Sequence, residues 1–378
     1  MTTRTFNLPR DHRQHTDVYF LHASEVLKKE DINPYVTMQV FMRDGPGRAH
    51  GLDEAVEMLE AYSNLKGNHG HVDALPEGSP YQPGDTFMHI HAYLQDIIEL
   101  ETMYLGAISR ETSWANGGGA IDFGAMLDDA KAIRDLCPDK TLVYFGARHW
   151  HYSEDDAVAR ALIQEAGWDS ASTDFGARAA GQSKGVGTVP HALVLAFGFE
   201  MGPSRATAEA TAAFDRHIEP ESPRIALIDT FGKEIDDALA TARVLGENLF
   251  AVRLDTAGEI IAQGGRPSRE AEAHYTAGRG VRTVSARALR DALDAEGFED
   301  VGIVLSSGFG NVDKVRAFVE EENRNGRLFE ALGIGGIFPG RHATADVVRA
   351  ADTHKARLRH FAKTGRHYKP NPAMRRVF

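Results

Sequence analysis

The spacing of apolar residues changes character along the chain. In TDVYFLHASEVLKKE (16–30), Val18, Leu21, Val26 and Leu27 recur at helical intervals, which predicts a helix. PYVTMQVFMR (34–43) is β-branched and alternating, the pattern of a strand. GLDEAVEMLEAY (51–62) gathers Leu52, Ala55, Val56 and Leu59 on one helical face. LPEGSPYQPGD (75–85) interrupts the pattern with Pro and Gly, TFMHIHAY (86–93) reads as a strand, and QDIIELETMYLGAIS (95–109) as a helix. ANGGGA (115–120) breaks the chain and is expected to divide an N-terminal α/β domain, 1–114, from the remaining residues.

Beyond the glycines, strands and helices alternate. The expected strands are TLVYFGA (141–147), WDSAST (168–173), GVGTV (185–189), PRIALID (223–229), NLFAVRLD (248–255), DVGIVLS (300–306) and LFEALGIGGI (328–337). Amphipathic stretches such as 153–167, 204–218, 232–246, 285–297 and 311–323 lie between most of them. This alternation favours a parallel α/β barrel over an open doubly wound sheet, although the count alone does not close a barrel. The barrel domain is expected over 115–345. Residues 257–283 form a long insertion of the kind that serves a site or is disordered. The basic segment from 346 to 378 is expected to be a helix and an extended tail packing back on the acidic body, with phosphate binding as the alternative.

Composition narrows the function more than the fold. The 378 residues carry 42% hydrophobic and 25% charged side chains, ordinary for a chain that builds a sizeable core. A net charge of −12 argues against nucleic acid and against an anionic membrane surface. It leaves room for an anionic small substrate in a locally basic cleft. One cysteine, Cys137, excludes a disulfide framework and a Cys-based zinc site. The N-terminal stretch lacks the apolar core of a signal peptide, and no run approaches the ~20 apolar residues of a membrane helix, so a cytoplasmic location is expected.

In a parallel barrel, chemistry gathers at the carboxyl ends of the strands. There stand Arg148 and His149, Asp174, His191, Asp229 and Thr230, Arg253 with Asp255 and Thr256, and two glycine-rich loops, SSGFGN (306–311) and GIGGI (333–337). Glycines let backbone N–H groups approach an anion, and a helix begins after the first loop. Paired aspartates suit Mg²⁺ or ribose hydroxyls, and arginines suit carboxylate or phosphate. Each feature alone has a bland reading: a turn, a helix cap, a structural ion pair. Together they indicate a phosphorylated sugar, Mg²⁺ and an anionic partner. A rival reading starts from three H-x-H pairs, His69/His71, His89/His91 and His149/His151, which could hold zinc in a metal-dependent hydrolase.

The motifs TDVYF (16–20), LETMYLG (100–106), FGAR (145–148), GTVPHAL (187–193), DTF (229–231), VRLDT (252–256), SSGFG (306–310) and GIGG (333–336) occur in one order. In this the chain resembles the nicotinate phosphoribosyltransferase family, with its nicotinamide and quinolinate relatives. The resemblance implies an N-terminal α/β domain on a seven-stranded incomplete α/β barrel, in a homodimer or larger assembly with shared active sites. It implies that nicotinate and phosphoribosyl pyrophosphate give nicotinate mononucleotide and pyrophosphate, with Mg²⁺, in NAD salvage. It further implies coupling to ATP hydrolysis through a phosphohistidine at His191. Asp17, Tyr19, Phe145, Arg148 and Asp174 would meet the base, with Tyr19 coming from a neighbouring subunit. Asp229, Arg253, Asp255, Ser307, Gly308, Gly335 and Gly336 would hold the phosphoribosyl group, Asp229 and Asp255 also Mg²⁺. The chain departs from the pattern in Arg148–His149, where many nicotinate enzymes have Arg-Arg, and in SSGFG, where Ser-Gly-Gly is common. Asp174 lies near where the nicotinamide enzymes use an acid to read the amide. Nicotinamide or another pyridine therefore stands as the alternative base.

Overall fold

The computed structural model describes residues 6–378. Fourteen strands occur among them: β1 (Tyr35–Met42), β2 (Gly47–Arg48), β3 (His71–Ala74), β4 (Pro80–Tyr81), β5 (Thr86–Tyr93), β6 (Thr141–Tyr144), β7 (Ser170–Ala171), β8 (Ile225–Leu227), β9 (Ala251–Leu254), β10 (Gly302–Leu305), β11 (Ala331–Ile334), β12 (Ala343–Ala351), β13 (Arg359–His360) and β14 (Arg375–Arg376). The fold is α/β. An antiparallel sheet in the order β13-β12-β1-β5-β3-β14 accompanies a parallel sheet in the order β7-β6-β11-β10-β9-β8.

The parallel sheet has six strands, not the expected seven. Residues 185–189 make a backbone bond to β7, Val186 N–H to the Ala171 carbonyl at 2.9 Å, but form no ladder. Their glycines explain why. A Cβ on Gly187 would lie 2.3 Å from the Tyr19 nitrogen, and one on Gly185 would lie 2.7 Å from the Thr173 carbonyl carbon. The segment is pressed onto the start of the helix Val18–Lys29 and extends no ladder along β7.

The C-terminal segment also differs from expectation. Residues 346–378 form no helix; β12 pairs antiparallel with β1 across Tyr35–Met42. Val347 and Val348 favour an extended chain, and Pro370 and Pro372 keep the end of the tail out of a helix. The tail is fastened by polar contacts instead: Lys369 N–H donates to Gln39 at 2.7 Å, and Asn371 donates to the Thr86 carbonyl at 2.8 Å.

Two apolar cores result. One surrounds the parallel sheet. The other joins the antiparallel sheet to the helices Val18–Lys29, Leu52–Tyr62, Glu101–Ala115, His191–Met201 and Ala206–His217. The last two follow the parallel-sheet strand β7 in sequence but pack in the N-terminal core. His191 therefore stands where the two cores meet.

Candidate active site

A cavity of about 610 Å³ opens beyond the carboxyl ends of β6, β9, β10 and β11, against the helix Val18–Lys29. Tyr19, Phe145, Arg148, His191, Arg253, Asp255, Ser307, Gly308, Gly335 and Gly336 all line it.

One end is aromatic and cationic. Arg148 sits in the short turn after β6 and donates to the Tyr19 hydroxyl at 3.1 Å. The Glu101 carboxyl lies 3.6 Å away. Phe145 packs so close to β11 that a Cβ on Gly333 would come within 2.2 Å of its ring. Arg253 stands 5.9 Å from the Phe145 ring centre and donates to the Val189 carbonyl at 3.1 Å; its buried Nε has no protein partner. Burial pushes Glu101 up to about 8, although Arg148 pulls the other way. Burial likewise raises Asp17. Arg148 keeps its charge against burial, favoured first by Tyr19, whose hydroxyl accepts its hydrogen bond. With Glu101 protonated near neutral pH, Arg148 keeps its charge for a ligand.

The middle of the cavity holds a triad. His191 opens the helix His191–Met201, and its Nε2 lies 3.1 Å from Asp229 Oδ1. Lys363 Nζ lies 2.5 Å from Asp229 Oδ2 and 2.8 Å from His191 Nε2. Burial alone would raise Asp229, but the Lys363 ammonium and then His191 hold it well below the usual carboxylate range. Nε2 cannot both donate to Asp229 and accept from Lys363, so the lysine can set which ring nitrogen carries the proton. Asp255 accepts from Ser306 at 2.8 Å. His191, Asp229 and Asp255 offer ligand atoms within 4.8 Å of one another.

The far end is a backbone cradle. Ser307 and Gly308 take φ of 72° and 81° before the helix Val312–Asn325, which Asn311 caps by accepting from Lys314 N–H at 2.9 Å. A Cβ on Gly310 would lie 1.9 Å from the Gly336 carbonyl oxygen, so the two glycine loops touch backbone to backbone. Lys314 Nζ donates to the Ser307 carbonyl at 2.6 Å, and burial lowers the ammonium to about 7.

Three expected site residues stand elsewhere. Asp174 begins a short helix, pairs with Arg178 at 3.0 Å and accepts from Gly185 N–H at 2.9 Å, outside the cavity. Asp17 is buried behind Tyr19, held by Thr102 at 3.0 Å and by Ser172. Asp229 reaches the cavity only through His191 and Lys363. Tyr19 of the same chain lines the cavity and meets Arg148. The site also contains Lys363, Glu101, Arg366 and Asp346, which strand ends could not reveal. Lys363 and Arg366 lie in the basic tail, whose charge was the only signal. Of the insertion, Ala257, Gly258 and Glu259 line the cavity.

Residues 17–112 match the family model described as the N-terminal domain of quinolinate phosphoribosyl transferase. No curated protein sequence matches the chain. Among solved structures, the nicotinate phosphoribosyltransferase of Porphyromonas gingivalis superposes with a TM-score of 0.67 at 16% identity, over 96% of each chain. The nicotinate phosphoribosyltransferase of Vibrio cholerae gives 0.67 at 13% identity, over 96% of this chain and 91% of that one. The chain has the fold of the nicotinate phosphoribosyltransferases. The match runs from end to end, so the antiparallel sheet, the parallel sheet and the returning tail belong to one shared architecture.

Four histidines of the H-x-H pairs meet partners of their own. His149 stacks on His342 at 4.1 Å, while His151 turns to Glu54 at 3.2 Å. His89 meets Gln39 at 3.2 Å, and His69 stacks on His354. No helix of the described residues is long and apolar enough to cross a membrane.

Proposed function

We propose that the protein transfers the phosphoribosyl group of phosphoribosyl pyrophosphate to nicotinate, giving nicotinate mononucleotide and pyrophosphate in NAD salvage. The observation that carries this reading is the order of groups in one cavity: a charged arginine bonded to Tyr19 and near Phe145, a His–Asp–Lys triad, then a glycine cradle at a helix N-terminus. The names of the two superposed structures support it.

The pyridine ring lies between Tyr19 and Phe145, where flat rings bury area at low entropy cost. Its carboxylate faces Arg148, left charged by the protonated Glu101. Asp174, the residue suited to an amide, is outside the cavity, which favours nicotinate over nicotinamide. The 5′-phosphate takes the backbone N–H groups of Ser307, Gly308, Gly335 and Gly336. The ring nitrogen then forms a bond to C1 of the ribose as the bond to pyrophosphate breaks. Positive charge gathers on the sugar, and alignment and nearby anions lower the barrier.

Asp255 suits Mg²⁺ carried by the pyrophosphate, because one of its oxygens is free of Ser306. Asp229 suits it less well, since Lys363 and His191 already take its carboxylate. ATP serves as co-substrate: the His191 imidazole forms a bond to the γ-phosphorus as ADP leaves, and the phosphohistidine adds anionic charge beside the sugar. A homodimer completes the proposal, and light scattering tests it. The decisive experiment mixes the protein with phosphoribosyl pyrophosphate, Mg²⁺ and nicotinate, nicotinamide or quinolinate, each with and without ATP. Pyrophosphate release with nicotinate, enhanced by ATP and losing that enhancement in His191→Asn, is expected. Release with nicotinamide alone would overturn the assignment of the base.

A further inference from the structure

The antiparallel sheet turns a row of histidines away from the cavity. Met38 of β1 lines the cavity, whereas its neighbours Thr37 and Gln39 point to the other face and pair with His91 and His89 of β5. On that outer face β3 presents His71 and Asp73, two residues apart, and the register sets His71 directly opposite His91.

Three side chains converge there. The rings of His71 and His91 stack with centres 4.3 Å apart and planes at 19°. Their Nε2 atoms lie 3.8 and 3.7 Å from the same oxygen, Asp73 Oδ2. Both distances are too long for hydrogen bonds. They are close to what a shared cation requires: in a tetrahedral site with bonds of ~2.0–2.1 Å, ligand atoms stand ~3.3–3.4 Å apart. Closing the site requires the two near-parallel rings to turn towards a common point and the Nε2–Oδ2 distances to shorten by a few tenths of an ångström; all three ligand atoms already lie within 4.8 Å of one another.

The surrounding groups aim these atoms. Thr37 Oγ1 lies 3.1 Å from His91 Nδ1, which leaves Nε2 facing Asp73. Arg376 of β14 donates to Asp73 Oδ1 at 2.8 Å, which leaves Oδ2 for the cation. Such outer partners orient ligands at metal sites. His71 and Asp73 are each about a quarter exposed, so water can reach a fourth position.

We propose that His71, Asp73 and His91 form a binding site for a divalent cation of the zinc class, which clamps β3 to β5 on the face opposite the reaction cavity. Two imidazoles and one carboxylate select such a cation over Mg²⁺ or Ca²⁺, which prefer oxygen-rich shells. The clamp falls where the sheet needs it: β3 is four residues long, and its other neighbour, β14, has two. The site shares no residue with the proposed transferase chemistry.

Full-length protein freed of metal with chelator and titrated with Co²⁺ tests this. Wild type is expected to bind one equivalent with the visible absorption of four-coordinate Co²⁺, and Zn²⁺ to displace it and raise the Tm. His71→Gln and Asp73→Asn, at partly exposed positions, are expected to abolish both effects. His191→Asn, at the separate His–Asp cluster, is expected to keep both. No Co²⁺ absorption in wild type, its survival in His71→Gln and Asp73→Asn, or its loss in His191→Asn would overturn the proposal.

Discussion

Glu101 offers a sharp test of how the cavity reads its base. Its carboxyl is buried, 3.6 Å from Arg148, and is pushed up to about 8. Below that pH it is protonated, and Arg148 is free to meet a carboxylate. Above it Glu101 ionises, pairs with Arg148 and repels nicotinate. With nicotinate on the far side of the guanidinium, the two carboxylates stand about 7 Å apart, and at an effective dielectric of ~20 their repulsion is roughly 2.4 kcal/mol, or about 50-fold in affinity. The KM for nicotinate is therefore expected to be flat from pH 6 to about 8, then to climb towards a plateau roughly 50-fold higher. Glu101→Gln keeps the neutral form at every pH and should remove the climb while leaving KM at pH 7 within about twofold. Stability gives an independent reading. A carboxyl whose folded pKa is raised contributes stability that is complete below its unfolded value of 4.5 and is lost as pH rises through about 8. A shift of that size corresponds to roughly 5 kcal/mol as an upper bound, so Glu101→Gln should unfold at a higher temperature than wild type at pH 8.5 and near the wild-type temperature at pH 4.5. Initial rates against nicotinate concentration across the pH range, with thermal melts alongside, measure both. A flat wild-type profile through pH 10, or a climb that persists in Glu101→Gln, would refute the reasoning.

Three further outcomes rest on the same geometry. Lys363→Met leaves Asp229 buried without its ammonium and is expected to cost about 3–5 kcal/mol in urea unfolding at pH 7, with a smaller loss in Asp229→Asn/Lys363→Met together. Arg148→Lys retains the charge but loses the planar fork, and should raise the nicotinate KM at least tenfold with little change in the KM for phosphoribosyl pyrophosphate. Gly310→Ala puts a methyl group against the Gly336 carbonyl, and is expected to cost about 1–3 kcal/mol in stability and to raise the KM for phosphoribosyl pyrophosphate, read by unfolding and initial rates.

Much of the chain announced itself. Alternation and helical spacing place β1, β5 and the helices Val18–Lys29 and Leu52–Tyr62 within a residue or two, because those signals are local. Strand ends carry Arg148, Arg253, Asp255 and the glycine loops into one cavity, because parallel strands expose their carboxyl ends together. What remained hidden depended on distant partners. GVGTV reads as a strand, but its glycines are needed where the backbone meets Tyr19 and Thr173, and that encounter has no trace in local pattern. The tail reads as a basic helix, yet β1 had an open edge for β12, and Lys363 is drawn into the cavity by Asp229, 134 residues earlier. Asp174 stands at a strand end like the others but turns to Arg178 and Gly185, since a side chain there can cap its own loop. Sequence alone thus determined the elements and the chemical inventory, whose causes lie within a few residues. Only the tertiary structure decided which charges are buried together, because burial and pairing are set by segments far apart in the chain.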